Sequence, residues 1–450
     1  MKKLLLSTTF FLFSASLIAQ SWSAQNTGFN TASRGINQIQ IIDANTVWGL
    51  AYDGAGIVGV PEVQEFTRTL NGGATWTPGL IDIANPAWSI NNLIPVSANI
   101  AWVSAIDNSG GTGSATPGGI WKTINGGSTW TQQNATAFIG SGAFLNGVHF
   151  WDVNEGIAFG DPVAGSKIEC YKSLNGGILW TSVTTVPNMA TGEYNYNNGN
   201  VFVGNSIWLP TNKGKILRST DKGLTWTKLS TPLTDFGSAA VNGTLYFSDA
   251  SNGVLLGTLD TGATYKLYTT ANGGLSWITP TTNYAGGYNR LLSYVPGTNV
   301  IVACGNNGTA PSIAGSSFSS DNGLSFTTID TGNQRGYVAM FSTSIGWASG
   351  FTSGATGGVF KLSGTLSNQS FSNNKLFVAT PNPTTGFLNI SGTQIIDQII
   401  IYDILGKIVQ NIKFNGVENT SLDISNLSAG TYVLKVLSDE TSETIKILKQ

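Results

Sequence analysis

The 450-residue chain carries 22 Lys and Arg against 24 Asp and Glu, a net charge of -2, and that balance favours neither nucleic acid nor an anionic membrane as partner. One His and two Cys leave little for imidazole or thiolate chemistry, so no metal and no cofactor is expected. Fifty-six Gly with only 10% charged residues describe a turn-rich, all-β chain.

In chain order, Met1-Lys2-Lys3 and the apolar run from Leu4 to Ile18 read as an export signal, with residues 1–19 removed after Ala19. The run is too short for a spanning helix, so no transmembrane segment is expected and the mature chain should act outside the cytoplasm.

From 20 to 364 one pattern recurs: a hydroxyl residue, then Asn or Asp two places on, Gly two further, and an aromatic three after that. Its copies are Thr69 to Trp76, Thr123 to Trp130, Ser173 to Trp180, Ser219 to Trp226, Thr270 to Trp277 and Ser319 to Phe326, the aromatics lying 54, 50, 46, 51 and 49 residues apart. Each unit adds a short apolar strand upstream (Thr46 to Leu50, Ile100 to Val103, Gly156 to Phe159) and a strand running into the box, such as Gly119 to Thr123. Four short strands in about 50 residues, joined by Gly- and Asn-rich turns, predict one blade of a radial array. Counting the upstream strands through Ile345 to Ala348 gives seven units, one more than the boxes. The seventh unit has its strand Gly358 to Leu362 with no aromatic after it, while Trp22 stands alone near the start. The segment around Trp22 is therefore expected to supply the outer strand of the last blade and close the ring.

The box residues read as turn chemistry. Asn71, Asn125, Asn175, Asp221, Asn272 and Asp321 would bond amides of their own hairpin, Gly at the fifth position would take positive φ, and the aromatics would wedge between sheets. These units resemble the Asp-box, or BNR, repeats found in sialidases, some xyloglucanases, sortilin-type receptors and the photosystem II assembly factor group. The resemblance implies a β-propeller and leaves the activity open.

Residues 365–377 carry no repeat and read as a linker. The stretch 378–450 lacks Trp, Cys and Arg and alternates short strands with turns, which predicts a small Ig-like β-sandwich. Pro381-Asn382-Pro383, Tyr402-Asp403 before Gly406-Lys407, Asp423 to Leu427 before Gly430-Thr431-Tyr432, and the basic ending Ile445 to Lys449 resemble the type A C-terminal sorting domain of the Bacteroidota type IX secretion system. That resemblance implies passage through the periplasm, recognition of the tail by the secretion machinery, and release or display at the cell surface. The fold class expected is thus all-β, a seven-bladed propeller followed by a sandwich, as a monomer.

Candidate chemistry lies around the expected funnel. Arg34, Arg290 and Arg335 fall where innermost strands of neighbouring blades begin, and three guanidinium groups could clamp a carboxylate or sulfate. Sialidases hold a sugar carboxylate with an arginine triad and use a Tyr nucleophile, which makes Tyr288 and Tyr337 candidate phenols and Asp53 a candidate acid. Against this, no Asp or Glu lies between Asp260 and Asp321, and Ser33-Arg34-Gly35-Ile36 replaces the Phe-Arg-Ile-Pro motif. Asp161, in Phe159-Gly160-Asp161-Pro162, and Glu193, in a Tyr- and Asn-rich insertion, form a second candidate pair for acid/base hydrolysis. His149 reads as a packed ring, and Cys170 and Cys304 as buried strand residues. The expectation is an exported module binding an extracellular glycan or protein, with a glycoside hydrolase or a surface scaffold as the alternatives.

Overall fold

The computed structural model describes residues 20–55, 62–107, 118–134, 136–140, 142–163, 166–259, 264–278, 291–305, 314–350, 357–366, 376–404, 406–438 and 441–450. The chain divides into two compact units between Ser367 and Asn368. Among the described residues, the strands of the first unit form seven antiparallel sheets, six of four strands and one of three. The sheets follow one another along the chain, as in a β-propeller. The three-stranded sheet ends at Thr264–Thr270, where only an isolated bridge from Thr269 to Ile278 continues the ladder.

The second strand of a sheet explains the pattern. Ala101–Asp107 is buried over its first six residues, Trp102 and Val103 completely, because the sheet packs on a neighbour through both faces. A strand covered on both sides reads as a continuous apolar run instead of an alternation. Trp48, Trp102, Trp208 and Trp347 occupy one equivalent place in their sheets and are all fully buried. Opposite each in register stands a cation: Arg68, Lys122, Arg218 and Lys361. Each cation lies over the indole, at 4.9, 4.6, 5.9 and 5.5 Å from the ring centre. Three of them also donate to a carbonyl of the following sheet's turns: Arg68 to Ala98, Arg218 to Ala250 (3.1 Å), and Lys361 to Gly72 (2.7 Å). One side chain thus covers its own sheet's Trp and fastens the next sheet.

The box turns share one bonding scheme. Thr123 Oγ1 accepts the Gly127 amide (2.9 Å), Asn125 Oδ1 accepts the Thr129 amide (3.0 Å), and the Asn125 amide group donates to Thr129 Oγ1 (2.9 Å). The first two bonds recur at all six copies, with Asp221 and Asp321 accepting where the others have Asn. Gly127 sits at φ 89° and its copies between 83° and 94°, the left-handed region that makes Gly the residue of choice.

The last sheet runs Ser21–Asn26, Gly358–Ser363, Gly346–Ser349, Val338–Met340, so the first described strand is the outer strand of the final sheet. Trp22 pairs with Leu362 across this seam, and its indole N–H donates to Ser316 Oγ at 2.8 Å. Gln25 Oε1 accepts both the Trp76 and the Trp347 indole N–H, at 3.1 and 3.2 Å, joining the first sheet to the last.

The second unit is a five-stranded antiparallel ladder from Phe377 to Lys449. Its strands Phe387–Tyr402 and Ile408–Asp423 are each 16 residues long. Register shifts after Ser391 change which parity faces inward, so Leu388 and Ile390, then Ile399 and Ile401, all enter one core with Leu434, Val436 and Ile447. The Pro381–Thr384 stretch is tied to the last strand: Asn382 donates to Lys446 O (2.7 Å) and accepts the Leu448 amide (3.0 Å). Asp403 accepts the Lys407 amide (2.9 Å) to shape the hairpin, and Tyr432 donates its hydroxyl to Ser428 O (2.9 Å).

Candidate functional site

Arg34 opens the strand Arg34–Ile41 directly opposite Asp53. Its Nε and Nη2 donate to Glu65 Oε1 at 3.2 and 3.1 Å, and Asp53 lies 3.9 Å from Nη1. Arg335 is buried and makes a two-pronged pair with Asp330, at 2.9 and 2.6 Å, while its guanidinium lies over the Phe360 and Trp22 rings. Arg290 and Tyr288 lie outside the described residues. Tyr337 is half-buried at its backbone turn, where its amide donates to Ser349 Oγ (2.7 Å), and burial raises the pKa of its phenol. Both described members of the arginine group thus have carboxylate partners inside the fold.

The second cluster is more closely knit. Asp161 sits at the register shift between Gly160 and Pro162, where the kink turns its carboxylate onto Asn146. The Asn146 amide group donates to Asp161 Oδ1 (2.7 Å) and to Asn195 O (2.9 Å), and so bridges the third sheet to the insertion. Burial raises the Asp161 pKa from its ordinary value, against the Asn146 hydrogen bond. Asn195 in turn bridges to Thr211, whose hydroxyl donates to Glu193 Oε1 at 3.0 Å. Glu193 Oε2 also accepts the Ala190 amide (2.7 Å) and pairs with Lys228 (2.8 Å). Burial pushes the Glu193 pKa up, but the Ala190 amide, Lys228 and Thr211 outweigh it and hold the group below its ordinary value.

Asp161 and Glu193 therefore belong to one hydrogen-bonded chain but have opposite electrostatics. Asp161 is desolvated and biased toward the protonated form; Glu193 is ionised and enclosed by donors. Asn146, Lys228 and Glu65 carry much of this geometry and escape a sequence reading, because each meets its partner from another strand or another sheet; Asp330 lies five residues before Arg335. Glu169 escapes it as well: burial raises its pKa although the Tyr171 hydroxyl donates to it at 2.8 Å. A register argument pairing Gly160 with Glu169 would have been the only signal.

His149 stacks on Phe202 at 4.1 Å and burial lowers its pKa to about 3. Both cysteines are free and buried, their thiols pushed up to about 12 by burial, which leaves them unreactive at neutral pH. Among the described residues no group of three or more His, Cys, Asp or Glu is placed to hold a metal ion. No helix among them is long and apolar enough to cross a membrane.

Residues 379–450 match the secretion system C-terminal sorting domain family. The chain carries a type IX sorting domain. That domain directs export to the cell surface or the extracellular space and hands the chain to the secretion machinery. A search of curated proteins returned no match. Solved structures similar to the chain include YCF48 from Cyanidioschyzon merolae, at 15% identity over 77% of this chain and 99% of that one, TM-score 0.47. The GH74 enzyme of Niastella koreensis is 16% identical over 94% of this chain and 67% of that one, TM-score 0.48. PorZ, a surface component of the type IX secretion system of Porphyromonas gingivalis, is 12% identical over 91% and 68%, TM-score 0.33. At these distances the neighbours carry no activity over to this chain.

Proposed function

We propose that this chain is an exported seven-bladed Asp-box propeller, six of its blades carrying the box, that works at the cell surface as a binding module for a glycan or protein ligand. The observation that carries the reading is the state of Glu193. The Ala190 amide, the Thr211 hydroxyl and the Lys228 ammonium already occupy its carboxylate, which leaves it poorly placed to accept a proton from a substrate water. The pairing of Arg34 with Glu65 and of Arg335 with Asp330 supports the same reading, since a clamp for an anionic sugar needs its cations free of carboxylates.

A hydrolytic reading has one observation in its favour, the raised pKa of Asp161, which suits a general acid. The two separate on turnover. The purified chain, assayed on fluorogenic sialosides and neutral glycosides, is expected to release no fluorophore above background. Turnover that disappears in Asp161→Asn or Glu193→Gln would establish the hydrolase instead.

A further inference from the structure

We infer that Asn198 is a site of spontaneous covalent modification, deamidation through a succinimide, which the fold permits there and withholds at the other described Asn-Gly pairs. The inference is independent of what the propeller binds. Ten such pairs lie among the described residues. In an Asn-Gly pair the glycine amide nitrogen attacks the asparagine Cγ, unhindered by a Cβ. The new N–Cγ bond closes a five-membered ring and the Cγ–Nδ2 bond breaks. The glycine N–H proton passes through solvent to the departing nitrogen, which leaves as ammonia. Water then opens either ring carbonyl and leaves an aspartyl or isoaspartyl carboxylate. Two groups must therefore be free together: the glycine N–H, to lose its proton, and the asparagine side chain, to rotate onto it.

The box turns deny both. Gly72, Gly126, Gly176 and Gly273 donate their amides to the Asn45, Asn99, Asn154 and Ser251 carbonyls at 2.7 to 3.0 Å. The Asn before each of them accepts the amide four residues on. In four further pairs one of the two groups is held. Gly243 donates to Phe236 O (3.1 Å) and Gly323 to Ser319 Oγ (2.8 Å). The Asn252 side chain donates to Asp249 (2.8 Å), and that of the buried Asn146 to Asp161 and Asn195. Asn415 is exposed, but Lys413 and Val417 on either side pair with Gln398 and Ile396, so ring closure there must shift a laddered strand.

Asn198-Gly199 differs from all of these. It forms the tip of the turn before the strand Val201–Val203, and Asn200 Nδ2 ties the ends of that turn by donating to Tyr196 O at 3.2 Å. Asn198 is exposed, Gly199 takes φ 73°, and a Cβ there would touch only Pro210 Cγ, at 3.6 Å. Among the described residues no hydrogen bond holds the Asn198 side chain or the Gly199 amide. Conversion adds one negative charge to a chain of net charge -2, in the insertion that carries Glu193 and Asn195.

The full chain should be held folded at pH 8 and at pH 6, sampled over days, and digested for peptide mass spectrometry that scores isoaspartate at each of the ten pairs. Asn198 is expected to convert first, about tenfold or more faster than Asn125, whose hydrogen bonds must break before it reacts. Conversion should be faster at pH 8, because the attacking amide must lose its proton. In urea the ten rates are expected to converge. An Asn198 rate no higher than that of Asn125 overturns the site, as does another of the ten converting ahead of it. The same spread of rates in urea as in buffer would mean that neighbouring sequence makes the choice, and overturns the inference too.

Discussion

His149 is the chain's single imidazole, and its titration costs stability in the mildly acidic range, where the raised Asp161 and Glu169 carboxyls act in the opposite sense. Its pKa falls from the ordinary 6.5 to about 3 on folding. The unfolded chain therefore takes up the proton first. Stability from the neutral ring is complete above pH 6.5 and is lost as pH falls toward 3, with a slope of at most about 1.4 kcal/mol per pH unit, since the ring keeps some contact with solvent. The glutamates with lowered values, Glu155 and Glu193, titrate from an ordinary 4.5, and the lowered aspartates from 3.8, so they add their loss only below those values. Denaturant unfolding at pH 7 and pH 5 should show the loss in the natural chain and little of it in His149→Phe; an equal loss in both would refute the assignment. That His149 is packed is legible from Phe150-Trp151 beside it. Its partner Phe202, 53 residues on, is not.

At the scale of the element, the box turn is a local device and was legible for that reason. Every bond in it joins residues within four positions of one another, so spacing alone predicts the scheme. Within the box the hydroxyl matters more than the amide. Thr123 is buried and its oxygen accepts the buried Gly127 amide, so Thr123→Val should cost about 1–3 kcal/mol by orphaning that donor. Asn125→Asp should stay within about 0.5 kcal/mol, because Asp221 and Asp321 already hold the same turn. Chemical unfolding of the two variants checks the order, and a larger loss in Asn125→Asp would contradict it. The cation opposite the buried Trp makes a double contact at Arg68, Arg218 and Lys361 that spacing along the chain does not reveal. One partner is the indole opposite in register; the other is a turn of the following sheet, and that second partner exists only once the sheets are stacked.

For the whole molecule, closure is the central issue. The strand Ser21–Asn26 pairs residue for residue with Gly358–Ser363, more than 300 residues later. Such a contact bears a large loop-closure entropy and forms only after the intervening sheets are in place. Removing residues 21–26 should expose the edge of Gly358–Ser363 and free the Trp76 and Trp347 indoles from Gln25. The truncated chain is expected to unfold at lower temperature and to self-associate in sedimentation, whereas Lys361→Met should lower the midpoint without association. A truncated chain as stable and as monomeric as the natural one would show that the seam is dispensable. Trp22 as an unpaired aromatic hinted at this strand, because a ring with one box too few needs its missing outer strand from somewhere.

The chain's own order of residues determined the repeat, the turn chemistry and the sorting tail, all of which are written within short spans. The tertiary structure decided the electrostatics. Asp161 and Glu193 look alike in sequence, two carboxylates in Gly-containing turns. Folding buries the first against one amide and surrounds the second with a backbone amide, a hydroxyl and a cation drawn from 35 residues away. Arg335 likewise reads as a free cation until Asp330 folds back against it. A charge's role depends on what solvates it, and for Asp161 and Glu193 that shell is assembled by contacts between segments that no local spacing encodes.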